Sequence, residues 1–133
     1  MKKTILLADD SPIVGQSLYR LLATEANYEL CAQAADGNEA ISLAKKCKPD
    51  LVILDLSMPK MNGLEAAREL KKIMPTVPII LLTLHASSVN ELFAENLCVD
   101  LVVPKGDFEH LMDSVRTLLF AKMGEDDGRC GEA

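Results

Sequence analysis

Residues 51–59 have the sequence Leu51-Val52-Ile53-Leu54-Asp55-Leu56-Ser57-Met58-Pro59, and this stretch decides the fold. A short apolar run between Pro49-Asp50 and Met58-Pro59 predicts a strand that is buried on both faces, as in a parallel sheet. Asp55 falls where that strand leaves the sheet, and ligands bind at the carboxyl ends of strands in open parallel sheets. Alone, this carboxylate could equally satisfy a loop backbone. Its importance depends on whether other strands bring partners to the same edge.

The composition predicts one compact soluble domain. The chain has 133 residues, of which 49% are hydrophobic and 26% charged, which excludes a disordered protein. The net charge of -6 argues against a broad nucleic-acid-binding face. The four cysteines form no CxxC pair, so no zinc site is indicated, and no apolar stretch approaches the ~20 residues that span a bilayer. We expect a cytoplasmic protein with a domain at residues 1–122 and an acidic, flexible tail at 123–133.

Apolar runs and helical stripes alternate along the whole chain. Strands are predicted at residues 4–8, 28–35, 51–55, 79–82 and 99–103, with helices after Ser11-Pro12, after Asp36, and at about 64–74, 87–96 and 107–122. The inward-facing positions of four helices are predicted to be Leu18, Leu21, Leu22 and Ala26; Ala40, Ile41, Ala44 and Cys47; Leu64, Ala67, Leu70 and Ile73; and Phe108, Leu111, Val115, Leu118 and Leu119. This alternation predicts an α/β fold with a doubly wound parallel sheet. Pro104 places the fifth strand at a sheet edge, since proline cannot donate to a strand ladder.

Four strand ends present polar side chains to one rim: Asp9 and Asp10, Asp55, Thr83 and Lys105. Each alone could serve a turn or a helix start, but their joint occurrence indicates a site. Three carboxylates in one pocket repel by ~3 kcal/mol per pair at ~5 Å and an effective dielectric near 20, so either one of them stays protonated or a cation joins them. Hard oxygen ligands favour Mg²⁺ or Mn²⁺. With a lysine and a hydroxyl opposite, the rim forms a cradle for a phosphoryl group, and Asp55 is the natural nucleophile.

The motifs at these strand ends resemble those of a known family. The segments are Leu6–Pro12, Leu54–Pro59 with Asn62-Gly63, Leu82-Thr83 and Val103–Lys105, and they look like the receiver (CheY-like) domain of two-component response regulators. The resemblance covers about residues 2–122. It implies a flavodoxin-like five-stranded parallel sheet in the order 2-1-3-4-5 with five helices.

The resemblance also implies roles for the rim residues. Asp55 would accept a phosphoryl group from a sensor histidine kinase or a phosphotransfer protein, so the chain would assist its own phosphorylation and dephosphorylation rather than act as an enzyme on other substrates. The implied ligands of Mg²⁺ (or Mn²⁺) are Asp10, Asp55 and the backbone carbonyl of Ser57, with Asp9 acting through water. Thr83 and Lys105 would contact phosphoryl oxygens.

Several positions depart from the family pattern. Val102 stands where the family usually has an aromatic residue, and Leu84 stands where a small residue is usual. Lys105 precedes Gly106 instead of proline; a cis bond before a non-proline residue costs ~2.5–4 kcal/mol, so we expect this bond to be trans. His85 and Ser57 occupy positions that tune the phosphoryl lifetime in the family. All residues of the family's phosphorylation pocket are present, whereas the aromatic residue that takes part in the family's conformational switch is replaced by Val102.

Other functions compete with this reading. The chain could be a non-switching protein-interaction module, or the receiver fragment of a DNA-binding response regulator, which residues 28–40 and 63–67 resemble. An aspartyl-phosphate phosphatase of the haloacid dehalogenase type would need aspartate in place of Ser57. The predicted output surface, formed by the fourth helix, fifth strand and fifth helix, could support a homodimer or partner docking. Neither membrane association nor direct nucleic-acid binding is expected.

Overall fold

The computed structural model describes residues 2–84 and 99–124, with side chains described to residue 120. The strands are β1 (Lys3–Ala8), β2 (Tyr28–Ala34), β3 (Leu51–Asp55), β4 (Ile79–Thr83) and β5 (Leu101–Pro104). The helices in these ranges are α1 (Pro12–Ala23), α2 (Gly37–Cys47), α3 (Gly63–Ile73) and α4 (Phe108–Gly124). The helix predicted at about 87–96, and residues 125–133 of the predicted tail, lie outside the described ranges.

The five strands form one parallel sheet in the order β2-β1-β3-β4-β5, which confirms the predicted fold class and strand order. β3 lies at the centre, between β1 and β4, so its residues can be covered on both faces. β5 is an edge strand, paired on one side with β4 through Thr83 and Pro104. An edge position suits Pro104, which has no N–H to donate to a strand ladder.

Alternating side chains of the strands build two cores, one on each face of the sheet. On one face, Leu18 of α1 and Val115 of α4 cover Ile53 of β3. On the other face, Ala40 of α2 and Leu70 of α3 cover Leu54. All five β3 residues are buried, because a strand with helices on both faces exposes neither set of side chains.

Helix starts follow the local sequence. Ser11 is the N-cap of α1 and Pro12 its first residue, as predicted, but the Ser11 side chain makes no capping hydrogen bond. In α3, Asn62 and Glu65 form a capping box, which satisfies backbone N–H groups at the helix start in both directions.

Three sequence-based expectations are wrong. Ala26 does not belong to α1, which ends at Ala23 because Thr24 takes the C-cap position; Ala26 is exposed. Ile73 is 43% exposed rather than inward-facing, since the inward side of α3 is formed by Ala66, Ala67, Leu70 and Lys71. β5 begins at Leu101 rather than at residue 99.

Lys71 is a buried charged residue that ties α3 to the amino-terminal edge of the sheet. Its ammonium donates to the carbonyl of Val77 at 2.8 Å and to Asp100 Oδ2 at 3.3 Å. The same Asp100 oxygen accepts from the backbone N–H of Ile79 at 2.8 Å. These contacts lie at the opposite end of β4 from Thr83, so this buried pair serves the fold and not the rim of strand ends.

Candidate functional site

Three carboxylates meet at the carboxyl end of the sheet. One ligand oxygen from each of Asp9, Asp10 and Asp55 lies within 4.8 Å of the others. β1 and β3 are neighbours in register, with Ala8 beside Leu54, so the residues that follow both strands emerge side by side. Asp9 and Asp55 are buried, and Asp10 is exposed. The acidic cluster of Asp9, Asp10 and Asp55 therefore has two desolvated members and one at the solvent boundary.

Lys105 reaches this cluster from the end of β5. Its Nζ lies 2.9 Å from Asp55 Oδ2 and 3.3 Å from Asp9 Oδ2. Its backbone N–H donates to the carbonyl of Thr83 at 2.8 Å, which holds the segment after β5 against the end of β4. The predicted partners thus converge, and the ammonium bridges two buried carboxylates.

Electrostatics reflect the balance between burial and pairing. Burial lowers the pKa of Lys105, but the hydrogen bond to Asp55 and the charges of Asp9 and Asp55 outweigh it, so the pKa is raised above its ordinary value. Burial is the main reason that the pKa of Asp9 is raised, and the charge of Asp55 adds to it. The hydrogen bond from the Ser11 N–H to Asp9 Oδ1, 2.8 Å long, and the charge of Lys105 oppose that rise.

The donor set fits a hard divalent cation. Asp9 Oδ2 is buried and makes no hydrogen bond of good geometry, although Lys105 Nζ lies nearby. Carboxylate oxygens are the ligands that Mg²⁺ prefers, and Mg²⁺ keeps several waters, which the exposure of Asp10 permits. Asp9, Asp10 and Asp55 could therefore hold such an ion together.

Thr83 and Ser57 flank the acidic cluster. Thr83 is the last residue of β4 and is buried, and its neighbour Leu82 lies beside Asp55 in the ladder. The backbone N–H of Ser57 donates to Asp55 Oδ1 at 3.3 Å, while the serine side chain is exposed. Both residues thus lie at the predicted rim.

Gly63 is a site residue whose contact the sequence analysis missed. A Cβ at this position would lie 2.5 Å from the carbonyl oxygen of Asp55 and 2.9 Å from the Cα of Leu56. Its N–H donates to the carbonyl of Leu56 at 3.0 Å. Only glycine allows the start of α3 to pack this closely on the backbone of the candidate nucleophile. The Asn62-Gly63 pair was the available signal, but it indicates a helix start and not its contact.

The departures from the family pattern have defined positions. Val102 is partly buried against the core that α2 and α3 cover, and Leu84 is 76% exposed. No peptide bond within the described residues is cis, so Lys105-Gly106 is trans, as expected. His85 lies outside the described ranges.

A family model described as the response regulator receiver domain matches residues 5–116. Chemotaxis protein CheY from Thermotoga maritima is 40% identical over 80 residues, which are 60% of this chain and 66% of that protein. Transcriptional regulatory protein DegU from Brevibacillus brevis is 37% identical over 84 residues, 63% of this chain. The matched part spans 36% of DegU, so this relative is much longer than its region of similarity.

Solved structures show the same architecture. A CheY-like receiver domain protein from Methanospirillum hungatei has a TM-score of 0.83 at 25% identity, covering 93% of this chain and 98% of that one. Response regulator TrrA from Thermotoga maritima, in complex with Mg(2+)-BeF, has a TM-score of 0.76 at 36% identity, covering 87% and 98%. A LuxR-family response regulator from Aurantimonas is also similar, with a TM-score of 0.79 at 29% identity over 91% and 87%.

Proposed function

This chain belongs to the response regulator receiver family, and from that membership and its acidic cluster we propose that Asp55 is its phosphoacceptor. In this proposal a sensor histidine kinase, or a phosphotransfer protein, donates the phosphoryl group from a phosphohistidine in a Mg²⁺-dependent reaction. The phosphorylated chain then changes a partner-binding surface. The observation that carries the proposal is the 2.9 Å contact of Lys105 Nζ with Asp55 Oδ2 inside the acidic cluster.

The chemistry is a direct transfer to a carboxylate. An Asp55 oxygen attacks phosphorus, the P–N bond of phosphohistidine breaks, and the imidazole leaves with its bonding electron pair and takes up a proton. Lys105 is positioned to exchange its contact with Asp55 for one with a phosphoryl oxygen, so that its ammonium offsets charge that develops there. The Thr83 hydroxyl is proposed to donate to a second phosphoryl oxygen.

A divalent cation completes this pocket in the proposal. We assign Asp10, Asp55 and the Ser57 backbone carbonyl as direct ligands and Asp9 as a ligand through water. Mg²⁺ (or Mn²⁺), when bound, neutralises charge shared between the carboxylates and the phosphoryl group. The description of TrrA as a Mg(2+)-BeF complex supports this choice of metal. The chain would thereby assist its own phosphorylation and dephosphorylation without acting as an enzyme on another substrate.

Location and output are further parts of the proposal. None of the helices described is long and apolar enough to cross a bilayer. We propose a cytoplasmic protein that binds no nucleic acid through this domain. The output surface would comprise the segment at about 87–96, β5 and α4, and would serve partner docking or a homodimer. The domain would serve a larger regulator if a DNA-binding region accompanies it; DegU, a transcriptional regulatory protein, is matched over 36% of its length.

A second candidate is a protein-interaction module that does not switch. It is favoured by Val102 at the position of the usual aromatic residue and by the exposure of Leu84 next to Thr83. This candidate and the first differ in one property, which is whether Asp55 takes up phosphate.

Intact-mass spectrometry after treatment with acetyl phosphate separates the two. We expect the mass of one phosphoryl group to appear with Mg²⁺, to be absent with EDTA, and to be absent in Asp55→Asn. A matched control, Asp113→Asn, changes an exposed aspartate of α4 that pairs with Arg116, and it should still be labelled. Absence of labelling in the wild-type chain, or equal labelling of Asp55→Asn, would overturn the proposal in favour of the non-switching module.

A further inference from the structure

The loop that carries Ser57, residues 56–62, is held from outside by the first turn of α2. The backbone N–H of Gly37 donates to the carbonyl of Met61 at 3.2 Å. A second contact joins the same two segments, since Lys60 Nζ lies 3.7 Å from Asp36 Oδ2. α2 therefore touches the loop through both a backbone hydrogen bond and an ion pair.

Gly37 is required here by space and not by backbone conformation. A Cβ at Gly37 would lie 2.7 Å from the Cβ, the Cγ and the carbonyl oxygen of Met61, closer than real Cβ atoms approach. Its φ is not in the left-handed region; among the described glycines only Gly106 has a positive φ. The backbone of α2 would therefore accept alanine here, and the nearest obstacle to its Cβ is Met61 of the loop.

The loop has few ways to yield. Lys60 already has a left-handed backbone, with φ of 67°, and the N–H of Met61 donates to the carbonyl of Pro59 at 2.7 Å in a tight turn. At the far end, Gly63 closes the loop by its hydrogen bond to Leu56. A displacement of Met61 is therefore expected to shift the short, hydrogen-bonded segment that leads back to Ser57.

We propose that Gly37 is a positioning residue for the metal site: its close contact with Met61 sets the path of residues 56–62 and hence the place of the Ser57 carbonyl. This inference rests on the proposed function, in which that carbonyl is a metal ligand. By reciprocity, an ion bound at the acidic cluster stabilises the contact between α2 and the loop.

The test is a titration of the ¹⁵N-labelled full chain with Mg²⁺, followed through the backbone amide signals of residues 56–62. We expect Gly37→Ala to shift these signals before any metal is added and to weaken Mg²⁺ binding by about tenfold, a typical loss for residues that support metal ligands. The matched control is Ala44→Gly, a change on the buried side of the same helix about two turns beyond Gly37. This control should lower stability but leave the Mg²⁺ affinity as in the wild type.

Rescue separates positioning from general damage. The double variant Gly37→Ala/Met61→Gly removes two of the three nearest atoms that the new Cβ would meet and leaves the Met61 carbonyl oxygen, so its loop signals and Mg²⁺ affinity should lie between those of Gly37→Ala and the wild type. If Gly37→Ala does not fold, the double variant is titrated in its place and should bind Mg²⁺ more weakly than the wild type. A wild-type Mg²⁺ affinity in the folded Gly37→Ala chain, or in the double variant where the single variant does not fold, would overturn the inference. A wild-type chain that binds no Mg²⁺ would instead overturn the proposed function, while shifted amides in Gly37→Ala would still show the contact.

Discussion

Replacing Lys105 by methionine tests the charge balance of the pocket. Methionine keeps most of the aliphatic stem but removes the ammonium that lies between Asp55 and Asp9. These two side chains are 2% and 0% exposed, so the variant leaves two buried carboxylates without their cation. The expected result is a large loss of stability in the absence of metal.

The magnitude follows from the distances. At an effective dielectric near 20, contacts of 2.9 and 3.3 Å correspond to about 6 and about 5 kcal/mol of attraction, much of which repays the desolvation of the lysine. Protonation of one carboxyl in the folded variant limits the loss to about 4 kcal/mol near pH 7, which is the cost of protonating an aspartate that is ionised in the unfolded chain. Lys105 is 21% exposed and retains some hydration, so we expect Lys105→Met to lower the free energy of unfolding by about 3 kcal/mol.

The free energy of unfolding is measured by urea titration, first in EDTA and then in about 10 mM Mg²⁺. A cation that binds the folded chain raises this free energy by mass action. Mg²⁺ should reduce the difference in free energy of unfolding between Lys105→Met and the wild type, because the ion replaces the missing positive charge. The control is Lys60→Met, whose ammonium pairs at 3.7 Å with Asp36 from a 70% exposed side chain, and whose loss should cost at most about 0.5 kcal/mol. Equal losses of stability for the two lysine variants in EDTA, or a loss in Lys105→Met that stays the same in Mg²⁺, would contradict a role of Lys105 as the counter-charge of Asp9 and Asp55.

Three further predictions concern other residues. In Gly63→Ala, the new Cβ would meet the carbonyl oxygen of Asp55 at 2.5 Å. This variant should have a free energy of unfolding lower by about 1–3 kcal/mol and should be labelled more slowly by acetyl phosphate. An unchanged free energy of unfolding together with an unchanged labelling rate would contradict the close packing. Lys71→Met should lower the free energy of unfolding in urea by about 3 kcal/mol, because Asp100 loses its buried cation. The Mg²⁺ affinity should stay unchanged. A changed Mg²⁺ affinity would show that the amino-terminal end of β4 is coupled to the acidic cluster. Burial, helped by the neighbouring Cys47, raises the pKa of the Cys31 thiol from 9.0 to about 11. Iodoacetamide should therefore alkylate Cys31 about a hundredfold more slowly in the folded chain than in the urea-unfolded chain. Similar alkylation rates in the two states, measured by peptide mapping, would contradict the raised pKa.

The raised pKa of Cys31 also predicts that the free energy of unfolding depends on pH. Between pH 9.0 and about 11 the folded chain retains the Cys31 proton that the unfolded chain has lost. The unfolded state therefore binds fewer protons in this window, and the contribution of Cys31 to stability falls as the pH rises through it.

The sheet was largely predictable because its strands carry their own signals. Residues 51–54 and 79–82 are continuous apolar runs that end in a polar group, and Pro104 marks the edge strand. The order of strands came from the family resemblance and not from these patterns. The errors arose where distant residues decide. Ile73 is exposed, whereas Lys71, which donates to Asp100 29 positions away in the sequence, is buried on the inward side of α3.

The candidate site was predictable to the level of residues, but not of contacts. Strand ends place Asp9, Asp55 and Lys105 on one rim whatever their exact geometry. Close approaches of backbone to backbone depend on the path of a loop between two helices, and no local pattern specifies that path. The contacts of Gly37 and Gly63 were therefore found only in the structure.

The most direct test of Asp55 as the phosphoacceptor is to map the residue that carries the acyl phosphate. The chain is treated with acetyl phosphate and Mg²⁺, the aspartyl phosphate is reduced with borohydride, and the modified residue is located by peptide sequencing in a mass spectrometer. The reduced residue is expected to be Asp55, in the wild type and in Ala44→Gly alike. Modification at Asp9 or Asp10, or at an acidic residue away from the pocket, would contradict it.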